Sequence, residues 1–267
     1  MNTILDKSYF SFLKILATSF LLWACGSDKE KTSSKALDNQ ICTLIFIDKS
    51  VSVDVNQAFV AEKYQRILGD AINQNIRHQG DRLEIYYIHE NTAKGKAFQG
   101  VSRSELEDLS HVNATDAEAI KTAFELSLQK EKMRFRQVAL QKLAATNSSS
   151  SNQATDIQAT LGIIDQLSGQ GFEVQAYFFS DMIESVKGNG RRDFHVNPPK
   201  DIAQAEAMAK TDAKRLADRL PNLGTAAVKL VLPFEPTSTS KQNNPTITAY
   251  WQTLCTELGI SSVEELY

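Results

Sequence analysis

From Ile41 to Ile47 the chain reads Ile-Cys-Thr-Leu-Ile-Phe-Ile, almost wholly apolar and closed by Asp48. A strand with one wet face would alternate. A continuous β-prone run predicts a central parallel strand covered on both faces. The period then lengthens, with Val55, Phe59, Val60, Ile67, Leu68, Ala71 and Ile72 at helical spacing up to Ile76, so a helix follows. Asp81 to His89 predicts a second strand, and Lys96 to Val101 a short third one suited to an antiparallel edge.

Thr115 to Ala145 carries a long helical pattern, followed by the Ser-rich break Asn147–Asn152, a loop on composition. Its Lys130–Arg136 stretch reads as a solvated helix face, since acidic and basic residues alternate along it. A helix is expected from Thr155, a fourth strand over Phe172–Phe179 and a helix opened by Pro198 and Pro199 that runs to about Leu220. A fifth strand follows over Ala226–Leu232, and a closing helix over Thr246–Leu258. Strands alternating with helices give the fold class: α/β, a three-layer α/β/α sandwich with a mostly parallel central sheet.

Composition adds exclusions. A hydrophobic fraction of 42% and a charged fraction of 23% over 267 residues describe a soluble globular domain with an appendage. A formal net charge of −3 lacks the clustered basic excess that a nucleic-acid partner requires.

The appendage is the N-terminus. Lys7 and Lys14 precede the apolar run Ile15–Ala24, which is shorter than the about 20 residues of a spanning helix but suits a secretory signal. Leu22-Trp23-Ala24-Cys25 resembles a bacterial lipoprotein processing box. That resemblance implies a signal peptide over residues 1–24, acylation of Cys25, and membrane attachment through the N-terminal lipid. Residues 25–39 read as a flexible polar tether and residues 40–267 as the domain. Gly26 stands where an inner-membrane retention signal would place an acidic residue, and Ser27-Asp28-Lys29-Glu30 resembles a surface-export signal. The expected location is the bacterial outer membrane, on its periplasmic face or the cell surface.

Three polar segments fall at the carboxyl edge of the predicted sheet: Asp48-Lys49-Ser50-Val51-Ser52, Ala154-Thr155-Asp156 and Ser180-Asp181. Ligands of open α/β sheets bind in that crevice. Asp48, Ser50, Ser52, Thr155 and Asp181 offer oxygen without Cys or His, a set suited to a hard cation such as Mg²⁺. All are expected on surface loops beyond the sheet. Each has a purely local reading as well: a strand end, hydroxyl-to-backbone turns, or a helix cap at Thr155.

At these residues the sequence resembles the von Willebrand factor A-type family with its metal-ion-dependent adhesion site. The site consists of Asp-x-Ser-x-Ser after the first strand, a Thr from a second loop and an Asp after a later strand. Asp48, Ser50 and Ser52 match the first part, Thr155 and Asp181 the rest, and the resemblance covers about Gln40 to Leu258. Ala154 and Met182 depart from the Gly that often flanks the Thr and the last Asp. The resemblance implies Mg²⁺ (or Mn²⁺) as cofactor, a protein partner that supplies an acidic residue to the metal, and adhesion or assembly rather than catalysis. The alternatives are a metal-dependent hydrolase or phosphatase using the same carboxylates, and a structural lipoprotein with a degenerate site. Against the enzymes, Ser50 occupies the place of the second Asp of haloacid-dehalogenase phosphatases. No Gly-Lys-Ser/Thr phosphate loop occurs, and His78, His89, His111 and His195 lie in no supporting motif. His195 could flank the metal edge by its place in the loop after Asp181.

Cys42 begins the first strand and Cys255 lies late in the closing helix, both toward the bottom of the sheet. A disulfide between them is possible in an oxidising envelope; two buried free thiols are the simpler reading.

Overall fold

The computed structural model describes residues 39–50, 53, 57–145, 154–188, 190–235 and 244–267. The signal, tether, Cys25 and Ser52, together with the Ser-rich break, lie outside the described residues. Six strands form one sheet: β1 (Ile41–Asp48), β2 (Arg82–Ile88), β3 (Lys96–Val101), β4 (Glu173–Phe179), β5 (Ala226–Val231) and β6 (Ser262–Glu265). Their order across the sheet is β3-β2-β1-β4-β5-β6, parallel throughout except that β3 runs antiparallel on the edge beside β2. The fold is therefore a mixed α/β sandwich with a mostly parallel six-stranded sheet.

All eight residues of β1 are buried, and its alternation explains why no polar face was visible. Cys42, Leu44 and Phe46 enter one core with residues of α3 (Gln158–Gly169), α4 (Ile202–Leu216) and α5 (Pro245–Glu257). Ile45 and Ile47 enter the other with α1 (Ala58–Asn75) and α2 (Ala114–Ala144). Both faces of the strand are dry, so both kinds of position are apolar. Phe46 stacks on Phe178 of β4 with ring centroids 4.9 Å apart, and Tyr64 of α1 meets Phe179 edge-on at 4.9 Å.

Three boundaries differ from expectation. α3 begins at Gln158, three residues beyond Thr155, because the first amides of the helix are met from elsewhere. α4 begins after Asp201, whose carboxylate caps the amide of Gln204, and the two prolines sit in the preceding turn. β6 was not anticipated: Ser-Val-Glu-Glu carries one apolar residue and becomes a strand only through its pairing with β5. No helix among the described residues is long and apolar enough to cross a membrane.

Cys42 and Cys255 share one core and are free thiols, so the disulfide is not formed in this structure. Burial pushes both thiols up to about 12, which leaves little reactive thiolate. In a Cys25→Ser background the folded protein should resist a thiol reagent and the denatured, unreduced protein should release two equivalents. No release after denaturation would mean that the bond forms.

Candidate functional site

β1 lies between β2 and β4, the chain having left it first toward β2 and returned later to β4 on its other side. Loops that leave neighbouring strands in opposite directions open a crevice at their carboxyl ends. Asp48 ends β1 and pairs in register with Ile88, while Ile47 pairs with Phe179. Ser180 and Asp181 therefore emerge beside Asp48.

Asp48, Thr155 and Asp181 are buried rather than on open loops as the sequence suggested. Asp48 is 1% exposed, Thr155 2% and Asp181 6%. Asp48 Oδ2 accepts a 2.6 Å hydrogen bond from the Ser180 hydroxyl, and its Oδ1 accepts the Ser50 amide at 2.8 Å. Asp181 Oδ1 accepts the amide of Ile183 at 3.1 Å. Burial, and after it the charge of Asp181, push the Asp48 carboxyl up to about 6, against the hydrogen bonds from Ser180 and Ser50 that favour its ionised form. Two carboxylates thus face one another where water is scarce. Beneath them the Tyr64 hydroxyl is fully buried and has no hydrogen-bond partner. Burial first, and then the negative charges of Asp48 and Asp181, hold this phenol well above its ordinary value and keep it protonated.

Thr155 is joined to the loop after Asp181. Its amide donates to Ser185 Oγ at 2.7 Å, and its carbonyl accepts the Ser185 amide at 3.0 Å. Glu184 completes the join: Oε2 accepts the amides of Ile157 and Gln158 at 2.7 and 3.0 Å, taking over the start of α3. Arg191 bridges Glu184 and Asp156. Sequence reasoning missed Ser180, Glu184, Ser185 and Tyr64 as parts of the site. Ser180 stood beside a predicted ligand, whereas Glu184 and Tyr64 gave no local signal, since their roles depend on contacts 27 residues away or on the packing of α1.

Met182, noted from the sequence as a departure from the Gly that the resemblance would favour, is the one described non-glycine residue with a left-handed backbone, φ +63°. That conformation suits glycine. Here the strain is offset locally: the Met182 amide donates to Ser180 Oγ at 2.9 Å, its carbonyl accepts the Trp251 indole N–H at 2.8 Å, and its side chain is buried.

Lys49 turns away from the crevice. Its Nζ donates to the carbonyls of Leu143 and Ala145 at 2.7 Å each, at the end of α2, and lies 5.2 Å from the Tyr87 ring centre. The loop after β1 is thereby tied to the long helix. His195 is exposed, in a turn held by Asp193. Among the described residues no group of three or more His, Cys, Asp and Glu side chains is gathered for a metal. Any cation here would rely on two carboxylates supplemented by hydroxyl and water oxygens. That donor set fits a hard divalent ion, which would also relieve the repulsion of the buried pair and draw a water toward the partnerless Tyr64 hydroxyl.

No family model matches the chain, and no curated protein matches it in sequence. Solved structures similar to it include a von Willebrand factor type A protein from Catenulispora acidiphila (12% identity, TM-score 0.33, 86% of this chain and 39% of that one). A second is proximal thread matrix protein 1 from the mussel byssus (8%, TM-score 0.36, 85% and 44%). A third is the manganese-loaded TRAP protein of Plasmodium vivax (12%, TM-score 0.33, 78% and 62%). The chain spans less than two thirds of each. Likenesses this distant carry no weight on function.

The raised value of Asp48 fixes a pH dependence. Its folded value, about 6, lies above its ordinary value of 3.8. The contribution to stability is complete below about pH 4 and is lost as pH rises through about 6, by at most about 3 kcal/mol. Thermal melts of the metal-free protein should fall between about pH 4 and 6 and level off above, and Asp48→Asn should flatten that fall. Equal slopes for wild type and variant would refute the assignment.

Proposed function

We propose that this protein is a metal-dependent protein-binding module of the bacterial envelope, anchored by lipid at Cys25 and located at the outer membrane. Mg²⁺ or Mn²⁺ would be held by Asp48, Ser50, Ser52, Thr155 and Asp181, directly or through water. One position would be left for an acidic side chain of a partner protein. The observation that carries this reading is the buried pair Asp48 and Asp181 at the crevice between β1 and β4. An isolated pair of buried carboxylates is costly, and a divalent cation is the simplest group that offsets both charges. The role is adhesion or assembly rather than turnover, since two carboxylates engaged with hydroxyl and amide donors suit holding an ion.

Calorimetry with Mg²⁺ and Mn²⁺ tests the site. Asp48→Ala and Asp181→Ala should abolish binding, because each removes charge that compensates the ion. Ser50→Ala should only weaken it, since water can replace a neutral hydroxyl. Tyr64→Phe should weaken it severalfold while leaving the metal-free melting temperature unchanged or higher, because it deletes a hydroxyl that lacks a partner. A folded wild type that binds neither ion at millimolar concentration would leave the degenerate, structural reading in its place.

The anchor is tested separately. Cys25→Ala should release the protein from membranes, since stable attachment rests on the acyl chains. A variant still bound after a carbonate wash would defeat the lipoprotein reading.

A further inference from the structure

α2 is 31 residues long, yet only Phe135, Ala139 and Leu143 in its last third are buried. The domain buries side chains only in the last third of the helix, with Leu128, Glu131 and Lys132 reaching it from the preceding turns on the same side. Along the side away from the sheet, Ala119, Ala123, Leu126, Lys130, Met133 and Gln137 are all exposed, Leu126 at 58% and Met133 at 63%. Their spacing alternates four and three, the 3.5-residue period of a helix–helix seam. Leu126 and Met133 stand two turns apart in the middle of that stripe, seven residues from one another.

The flank of the stripe carries opposite charges at its two ends. Toward the N-terminal end an open groove of about 410 Å³ lies between Glu105 and Glu107 on one side and Ala119, Ile120, Ala123 and Phe124 on the other. Toward the other end, on the same flank as Ile120 and two heptads on, stands the exposed Arg134. The segment that bears the two glutamates is firmly placed: Glu131 accepts from the Ser102 and Ser104 hydroxyls at 2.8 Å each and from the Arg103 amide at 3.0 Å.

We propose that this stripe is the contact for a second copy of the chain, two α2 helices packing antiparallel about a two-fold axis. In an antiparallel seam the two stripe positions alternate between partners. Met133 of one copy then lies opposite Ala123 of the other, Gln137 opposite Ala119, and Lys130 opposite Leu126, so a large residue meets a small one at two of the layers. The same register sets Arg134 of each copy over the groove of the other, its stem against Ile120 and its guanidinium beside Glu105 and Glu107. The contact is self-complementary, as a two-fold interface must be, and the charge pairing selects the antiparallel direction, because a parallel pair would set acidic ends together. A seam over residues 119–137 is about 27 Å long, at the small end of stable interfaces, so association in the micromolar range is expected.

Sedimentation of the full chain carrying Cys25→Ala, at about 100 µM where a micromolar dimer is nearly saturated, provides the test. Wild type in this background should sediment as a dimer. Leu126→Glu and Arg134→Glu should each shift it to monomer, with the far-ultraviolet spectrum unchanged because neither residue is buried. The double change Glu105→Arg and Glu107→Arg should also give monomer, and combining it with Arg134→Glu should restore the dimer. A monomeric wild type, a dimer indifferent to these changes, or a loss not restored by the combined charge exchange each overturns the proposal. None of these outcomes depends on metal binding.

Discussion

The repulsion between Asp48 and Asp181 is the constraint around which the upper edge of the molecule is arranged. The parallel register of β1 and β4 delivers both carboxylates to one crevice, and the hydrophobic layers beneath keep water from separating them. Left alone, such a pair would neutralise one member, and the raised Asp48 shows that tendency. The surrounding groups work against it. Ser180 and the Ser50 amide donate to Asp48, and the Ile183 amide donates to Asp181. The balance leaves negative charge available at neutral pH, on a base that resists it below pH 6. A site of that kind keeps its negative charge uncompensated until a cation or protons arrive.

The rest of the crevice is held by ties to three other parts of the molecule. Lys49 fastens the loop after β1 to the end of α2, Ser185 and Glu184 fasten the Thr155 segment to the loop after β4, and Trp251 of α5 fastens Met182. Each tie joins residues far apart in sequence, so the geometry of the crevice is a property of the whole sandwich. Preorganisation follows: ordering costs that a flexible loop would meet on binding are met during folding.

The sheet was largely legible because its physics is local. The continuous apolar run Ile41–Ile47 reads as a covered strand and is one, and the strand expected over Phe172–Phe179 forms as Glu173–Phe179. The antiparallel edge at Lys96–Val101 also reads correctly. β6 was not legible, since Val263 alone gives no period and the strand exists by borrowing hydrogen bonds from β5. Of the site, Asp48, Ser50, Thr155 and Asp181 were found by type and order, and their depth was not. Burial of Asp48 depends on Ser180, β2 and the layers on both faces, none of which a motif encodes. Thr155 reads as a helix cap in sequence because its helix follows closely; the structure instead hands the capping of Ile157 and Gln158 to Glu184 from another loop.

Met182 shows how such a site tolerates departure from a favoured residue. A left-handed backbone at a residue with a side chain costs about 1–2 kcal/mol, and glycine would remove that cost. Glycine would also forfeit a side chain that is 2% exposed in the larger core, and burying a Met is worth about 1.5–3 kcal/mol. The two terms are comparable, with burial somewhat ahead, and the hydrogen bonds to Ser180 and Trp251 involve backbone atoms that either residue would supply. What the position requires is the turn itself, which brings the Ser180 hydroxyl between the Met182 amide and Asp48. Any residue that accepts the turn keeps that relay, so the loop geometry does not depend on a glycine at this position.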